Sequence, residues 1–333
     1  FSIEDGLPDL ETKTDFCRQA EEAGIDSLLT DFGYGKPDPM LVAAILGHRT
    51  EKIKFILAYR SGLFSPTMFV QQLNTLSALI NGRFSLNIVA GYSPEEQRAY
   101  GDFLSHDERY ERTEEFLGIC RSFWRRDGEV NFHGKHYRIE KGSLKTPYVS
   151  DDRTFPEIFI GGGSEQAHRL ALSQGTCWMR LADAPETMRE SVAPVLAQGV
   201  EVGLRMAVIS RPTREEALST VQAMAEGVDK GREFVKTSVS KMDSVSFKAI
   251  YEKGKEEWLT PCLWAGAVHM YGPAAITLVG STEEVASAFM DYKRLGIWQF
   301  ILSGWPKLAE MVNFGRTVLP IIREMERETA VCA

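Results

Sequence analysis

The residues that could do chemistry fall into three groups by type and spacing. Gly161-Gly162-Gly163-Ser164 follows the apolar run Ile158-Phe159-Ile160 and opens a helical pattern. Glycines let backbone approach a ligand closely, and free N–H groups beside a serine hydroxyl suit a phosphate. The same residues would serve equally as a tight turn with an N-cap serine, so two readings stand at Gly162, Gly163 and Ser164. Arginine is the second group. Arg60, Arg180 and Arg205 lie at or within apolar strand-like runs, Arg205 between Leu204 and Met206. A guanidinium there must meet a polar cavity, a carboxylate or solvent, and for Arg205 a structural ion pair and an active-site role are both open. The third group is aromatic: Trp264, Tyr271, Trp298 and Trp305. Trp305, directly after Ser303-Gly304 at a strand end, is expected to line a site mouth. His269 is the histidine best placed to touch a substrate. His133 and His136, three apart in a hairpin pattern, do not make a metal pair, and no metal site is expected. Neither a nucleophile elbow nor a phosphate-binding P-loop signature occurs.

These groups need elements to hold them. Ile53–Arg60 (IKFILAYR) and Phe84–Pro94 (FSLNIVAGYSP) carry apolar runs without alternation, as in strands covered on both faces. Between them Ser65-Pro66 opens a helix whose apolar residues Phe69, Leu73, Leu76, Leu79 and Ile80 recur at three and four, and Asn81-Gly82 closes it. This is a βαβ unit, whose strand ends carry Ala58-Tyr59-Arg60 and Ala90-Gly91-Tyr92-Ser93. The pattern repeats along the chain. Counting the opening fragment FSIEDG, which reads as the tail of a strand with residues before it, eight strands each precede a helix. No linker divides the chain, and no glycine fingerprint of an open dinucleotide sheet follows the first strand. The expected fold is therefore a (β/α)8 TIM barrel, one domain over residues 1–333. Residues 230–270 break the rhythm, rich in Lys and Glu with few strand signals, and are expected to form an inserted lid or subunit contact.

Composition bounds the function class. The net charge of −8 offers no positive stripe for nucleic acid or an acidic membrane surface. Hydrophobic residues at 44% and charged residues at 25% suit a globular core, with no membrane-length apolar run. Five separated cysteines fit buried thiols in a reducing compartment, so a cytoplasmic location is expected.

The chain resembles the bacterial luciferase-like flavin monooxygenases, most of all alkanesulfonate monooxygenase. The shared runs are LVAA at 41–44, KFILAYRSGLFSPT at 54–67, NGRFSLNIVAG at 81–91, HDERYERTEEF at 106–116, NFHGKHY at 131–137, GGGS at 161–164, LWAG at 263–266, LVG at 278–280 and LSGWP at 302–306. The resemblance implies a homodimer or homotetramer, reduced FMN delivered by a separate NAD(P)H-dependent flavin reductase, and dioxygen used through a peroxyflavin. It implies flavin contacts at Ala58 (a strand end often beside a non-prolyl cis bond), Asn87, Ala90, Ser93 and Tyr110, with the phosphate at Gly162, Gly163 and Ser164. It makes Arg205 the group that stabilises the oxygenated anion.

Departures from that pattern fall on substrate. Lys36 stands where the alkanesulfonate enzymes have cysteine. Their histidine two residues after Arg205 is Ala207, their lid arginine is Tyr271, their aromatic after the sixth strand is Leu181, and their last-strand tyrosine is Trp305. A sulfonate needs fixed cationic or donor partners, so the pocket is expected to take a different substrate. Arg180, His269 and Tyr271 are expected to face it, with Trp305 and Lys36 beside the chemistry, Lys36 as a base if burial lowers its pKa. Two alternatives remain: Baeyer–Villiger insertion on a ketone or carrier-bound intermediate, and a flavin- or deazaflavin-dependent dehydrogenase.

Overall fold

The computed structural model describes residues 9–33, 35–226 and 229–331. The expected opening strand lies outside them, as does Cys332. Contacts divide the described residues into two units, one within Phe1–Glu21, Asp26–Gly161 and Glu165–Cys177, the other within Glu22–Ile25, Gly162–Ser164 and Trp178–Ala333.

The first unit runs α1 (Leu10–Glu22), β1 (Ser27–Thr30), α2 (Pro39–His48), β2 (Lys54–Tyr59), α3 (Pro66–Ile80), β3 (Phe84–Ile88), α4 (Pro94–Ala99), α5 (His106–Arg125), β4 (Val130–His133), β5 (Arg138–Gly142), β6 (Ile158–Gly161) and α6 (Glu165–Gln174). Strands β1, β2, β3 and β6 are parallel neighbours in that order, and β4 and β5 form the expected hairpin. Every residue of β2 after Lys54 is buried, as its unalternating apolar run requires. In α3 Ser65 accepts from the Met68 N–H at 3.3 Å, and Asn81 ends the helix with φ 52°. Its inward face is Phe69, Leu73, Leu76 and Ile80, each worth about 2 kcal/mol of burial. Leu79, counted on that stripe in the sequence, instead faces outward at 59% exposure.

The second unit runs β7 (Cys177–Leu181, all but its first residue), α7 (Pro185–Leu196), β8 (Glu201–Arg211), α8 (Arg214–Ala225), α9 (Asp229–Lys241), α10 (Val245–Lys253), β9 (Leu263–Trp264), α11 (Val268–Tyr271), β10 (Thr277–Ser281), α12 (Thr282–Arg294), β11 (Gln299–Ser303), α13 (Lys307–Asn313) and α14 (Leu319–Val331). Strand β8 has 11 residues because two parallel strands follow one another along it. Strand β11 pairs with Gly203–Ala207 and β10 with Ala207–Arg211. Sequence pattern missed β10 and its antiparallel partner β9. The two residues of β9 are too few to show a period, and β10 follows directly on the stretch read as an insertion. The inserted stretch is mostly helical, built of α9, α10 and a 3-10 turn at Gly254–Glu256.

Candidate functional site

In the first unit the expected flavin residues sit at the carboxyl ends of paired strands. Ala58 is the register partner of Asn87, and the Val89 N–H donates to the Tyr59 carbonyl at 3.0 Å. Ala90 follows directly, and Ser93 caps α4 by accepting from the Glu96 N–H at 3.3 Å. Among the described residues the cis peptide is Trp305–Pro306, not a bond beside Ala58. Tyr110 is buried in the first turns of α5, its ring 5.0 Å from that of His106. Ser105 and Glu108 cap that helix reciprocally, and His106 is its first residue.

Polar contacts fix α5 against the loop after β2. The Ser61 and Thr113 hydroxyls meet at 2.7 Å, and Arg112 donates to the Ser61 carbonyl at 2.9 Å and to Asp102 at 2.6 Å. Gly62, at φ 94°, leaves the space this guanidinium fills, since a β-carbon there would lie 2.5 Å from Arg112 Cζ. Arg60 is committed as well. It donates to Glu96 at 3.0 Å and lies 4.8 Å over Phe32 and 5.0 Å over Tyr100. Lys36 lacks the burial that a lysine base requires: its side chain is 37% exposed and ion-paired with Asp31. The expectation of a base there is not met.

In the second unit the glycine turn is held from one side. Trp178 donates its indole N–H to the Gly162 carbonyl at 2.8 Å, and the Gly162 N–H donates to the Met179 carbonyl at 3.3 Å. That amide is thus spent within the fold, a correction to the expectation that Gly162 offers a free donor. Gly163 is exposed, and Ser164 is buried. Arg180 stacks 4.6 Å over the Trp178 ring and donates to the Ser191 hydroxyl at 2.5 Å. Burial presses its pKa below the usual arginine range, with Asp183 opposing. Arg180 therefore supports the turn through Trp178, where sequence reasoning had it facing substrate.

Arg205 is different. Its backbone carbonyl accepts from the Ala182 N–H at 3.1 Å and it is the register partner of Ile301. Arg205 is half-buried, and its guanidinium has no hydrogen bond or ion pair among the described residues. By strand alternation Arg205, Ala207 and Ile209 share one face of β8. Ile209 belongs to a buried cluster with Val221, Trp264, Met270 and Val279, against which Trp305 packs. Tyr271 stacks on Trp305, ring centroids 5.0 Å apart and planes 27° apart, and its hydroxyl reaches the Met224 carbonyl at 3.4 Å. Two of the expected substrate residues thus form one aromatic wall. His269 does not join them: its Nε2 lies 2.8 Å from the Tyr251 carbonyl and its ring 4.6 Å from that of Tyr251. The ion pair of Lys253 with Asp183 was not foreseen in the sequence, because nothing marks one lysine among the many in the insertion.

Strand ends bearing small residues, a glycine turn and an unpaired strand arginine are thus carried on parallel α/β elements. A profile of luciferase-like monooxygenases matches residues 3–299, and the chain belongs to that family. Its fold is accordingly the TIM-barrel type expected from the sequence. Three solved structures illustrate the range of that fold. EDTA monooxygenase from Chelativorans sp. BNC1 is 20% identical with a TM-score of 0.77, over 95% of this chain and 87% of that one. The oxygenating constituent of 3,6-diketocamphane monooxygenase from Pseudomonas putida, a type II Baeyer–Villiger monooxygenase in complex with FMN, is 18% identical with a TM-score of 0.65, over 96% of each chain. An F420-dependent secondary alcohol dehydrogenase with an F420–acetone adduct is 18% identical with a TM-score of 0.68, over 95% and 96%. Among the described residues no helix is long and apolar enough to cross a membrane.

Proposed function

We propose that this chain is the oxygenase component of a two-component system that takes reduced FMN from a separate NAD(P)H-dependent flavin reductase and uses dioxygen to oxygenate a small organic substrate. The observation that carries this reading is Arg205, a half-buried strand-borne arginine whose guanidinium has no hydrogen bond or ion pair among the described residues. No internal carboxylate claims that charge, so it is available to an anion met during the reaction.

The residues fit a phosphorylated flavin. Gly163 keeps an exposed backbone surface that a side chain would cover, beside the buried Ser164, and these two are the proposed phosphate contacts. Ala58, Asn87, Ala90, Ser93 and Tyr110 are the proposed contacts to the rest of the flavin, following the family resemblance. Bound reduced flavin would supply the electrons that activate dioxygen. Arg205 would hold negative charge in place, and the Tyr271–Trp305 wall would exclude water from it. With tyrosine and tryptophan where a sulfonate enzyme has arginine and tyrosine, the substrate is less polar than an alkanesulfonate. A ketone or a carrier-bound intermediate fits best, with Baeyer–Villiger insertion as the reaction. The inserted residues 230–270 are the proposed lid.

The test is a reconstituted assay with a flavin reductase, NADH and FMN, following oxygen consumption and product together over a panel of ketones and sulfonates. Product coupled to oxygen in the wild type and lost in Arg205→Ala supports the reading; equal turnover in both refutes it. A second reading, a deazaflavin-dependent dehydrogenase, is favoured by the likeness to the F420-dependent alcohol dehydrogenase, and predicts substrate oxidation without oxygen uptake.

A homo-oligomer is part of the proposal. Leu41 (69% exposed) and Ile45 (43%) on α2, with Met68 (45%) and Leu79 (59%) on α3, present apolar surface that a second copy would cover. Sedimentation of the wild type against Leu41→Glu tests that, a dimer becoming a monomer. Buried free thiols at Cys17, Cys120 and Cys177 support a cytoplasmic location.

A further inference from the structure

Helix α10, from the inserted segment, reaches the glycine turn. A β-carbon built on Gly163 would lie 3.0 Å from Ser246 Cβ and 3.8 Å from its Oγ, so the Ser246 side chain sits directly against the bare Gly163 backbone. Its hydroxyl is 3.3 Å from that of Ser244, which caps α10 by accepting from the Phe247 N–H at 3.3 Å. The far end of the helix is pinned. Lys253 is ion-paired with Asp183, and the Tyr251 carbonyl meets His269. A helix fixed at its carboxyl end by two contacts is thereby aimed, through its first turn, at residue 163.

The turn is also short of a donor. The Gly162 N–H is already given to Met179, so an anion at Gly163 and Ser164 meets one backbone amide fewer than the run of three glycines suggests. We infer that Ser246 supplies the missing donor: the inserted segment binds the phosphate of a phosphorylated cofactor through the Ser246 hydroxyl at Gly163, so that the lid is held in place by the cofactor's phosphate. This rests on the reading of Gly163 and Ser164 as a phosphate subsite. It makes His269 and Lys253 positioning residues for α10. It also explains why residue 163 is glycine: a side chain there would push Ser246 away from the ligand.

The experiment compares binding of reduced FMN and reduced riboflavin, which differ only by the phosphate, under anaerobic conditions by fluorescence titration. The full-length wild type, Ser246→Ala and Ser246→Asp are used. An aspartate in the first turn favours the helix but repels a phosphate, so its effect separates folding from binding. Ser246→Ala is expected to weaken FMN about tenfold, the worth of a hydrogen bond to a charged group, with riboflavin unchanged. Ser246→Asp is expected to weaken FMN further, again with riboflavin unchanged. A wild type that prefers FMN, with both variants keeping that preference undiminished, overturns this inference and leaves the phosphate subsite standing. A wild type that binds both flavins equally overturns the subsite and the inference together.

Discussion

The end of β2 in the first unit and the middle of β8 in the second each carry an arginine, and they treat it in opposite ways. Arg60 is met by the Glu96 carboxylate and by the faces of Phe32 and Tyr100. Arg205 has no such partner among the described residues. The Arg60 side chain is only 9% exposed, and taking a guanidinium from water is costly. In the first region the fold offsets that cost from within, and the arginine becomes part of the frame. In the second it does not, and the charge stays available to something from outside. Burial of a charge therefore does not mark a functional site by itself; the missing internal partner is what makes Arg205 the candidate.

The largest expected effect tests the second region. Arg205→Ala should lower product formation by about a hundredfold or more, the size seen when one donor to a developing anion is removed. Its stability to urea should change by less than about 1 kcal/mol, because no internal contact is lost. Arg60→Ala should do the reverse. It leaves Glu96, whose side chain is only 18% exposed, without its cation, and should cost about 3 kcal/mol in urea unfolding. Equal destabilisation by the two substitutions would erase the distinction between frame and site.

Much of this was legible in the chain. The βα rhythm, the caps at Ser65, Ser93 and Asn81, the hairpin near residue 133 and the position of the glycine turn all follow from local patterns, and each stands in the structure. Local pattern also raised both possibilities for Arg205, an ion pair or an active-site role. What it could not do was choose, because the choice depends on which carboxylates lie nearby in space. The same limit explains Arg180 and His269. Each looked free in sequence, yet Arg180 is taken by Ser191 and Trp178, and His269 by the carbonyl of Tyr251, 18 residues earlier. Strand β9 was missed because two residues show no period, and β10 because it follows directly on the stretch read as an insertion; β10 is held by β8 and β9 by β10.

A smaller effect sharpens the comparison at the glycine turn. Trp178→Phe removes the hydrogen bond to the Gly162 carbonyl while keeping a ring beneath Arg180. Loss of one neutral hydrogen bond should loosen the turn and weaken FMN about fivefold relative to riboflavin in the same titration. An unchanged ratio would mean that the turn holds its shape without the indole.

The smallest effect concerns a second backbone anion cradle, in the first unit, which the protein fills itself. The N–H groups of Glu51, Lys52 and Ile53 all donate to Glu21, at 2.9, 2.6 and 2.8 Å. Burial pulls the Glu21 pKa upward, but the three N–H donors and the nearby Arg83 outweigh it and hold the carboxyl below its ordinary value. A carboxylate with a depressed folded pKa contributes its stability in full above the unfolded value of roughly 4.3, and loses it as pH falls through the folded one. Glu21→Gln removes that contribution, so the gap in urea stability between wild type and variant should be widest near about pH 6 and narrow as pH falls toward about 3. A gap independent of pH would show that the cradle does not select the charged form. Where the gap closes with acid, residues 51–53 are an anion site satisfied from within, the counterpart of the turn at Gly163 and Ser164 where an outside phosphate is proposed.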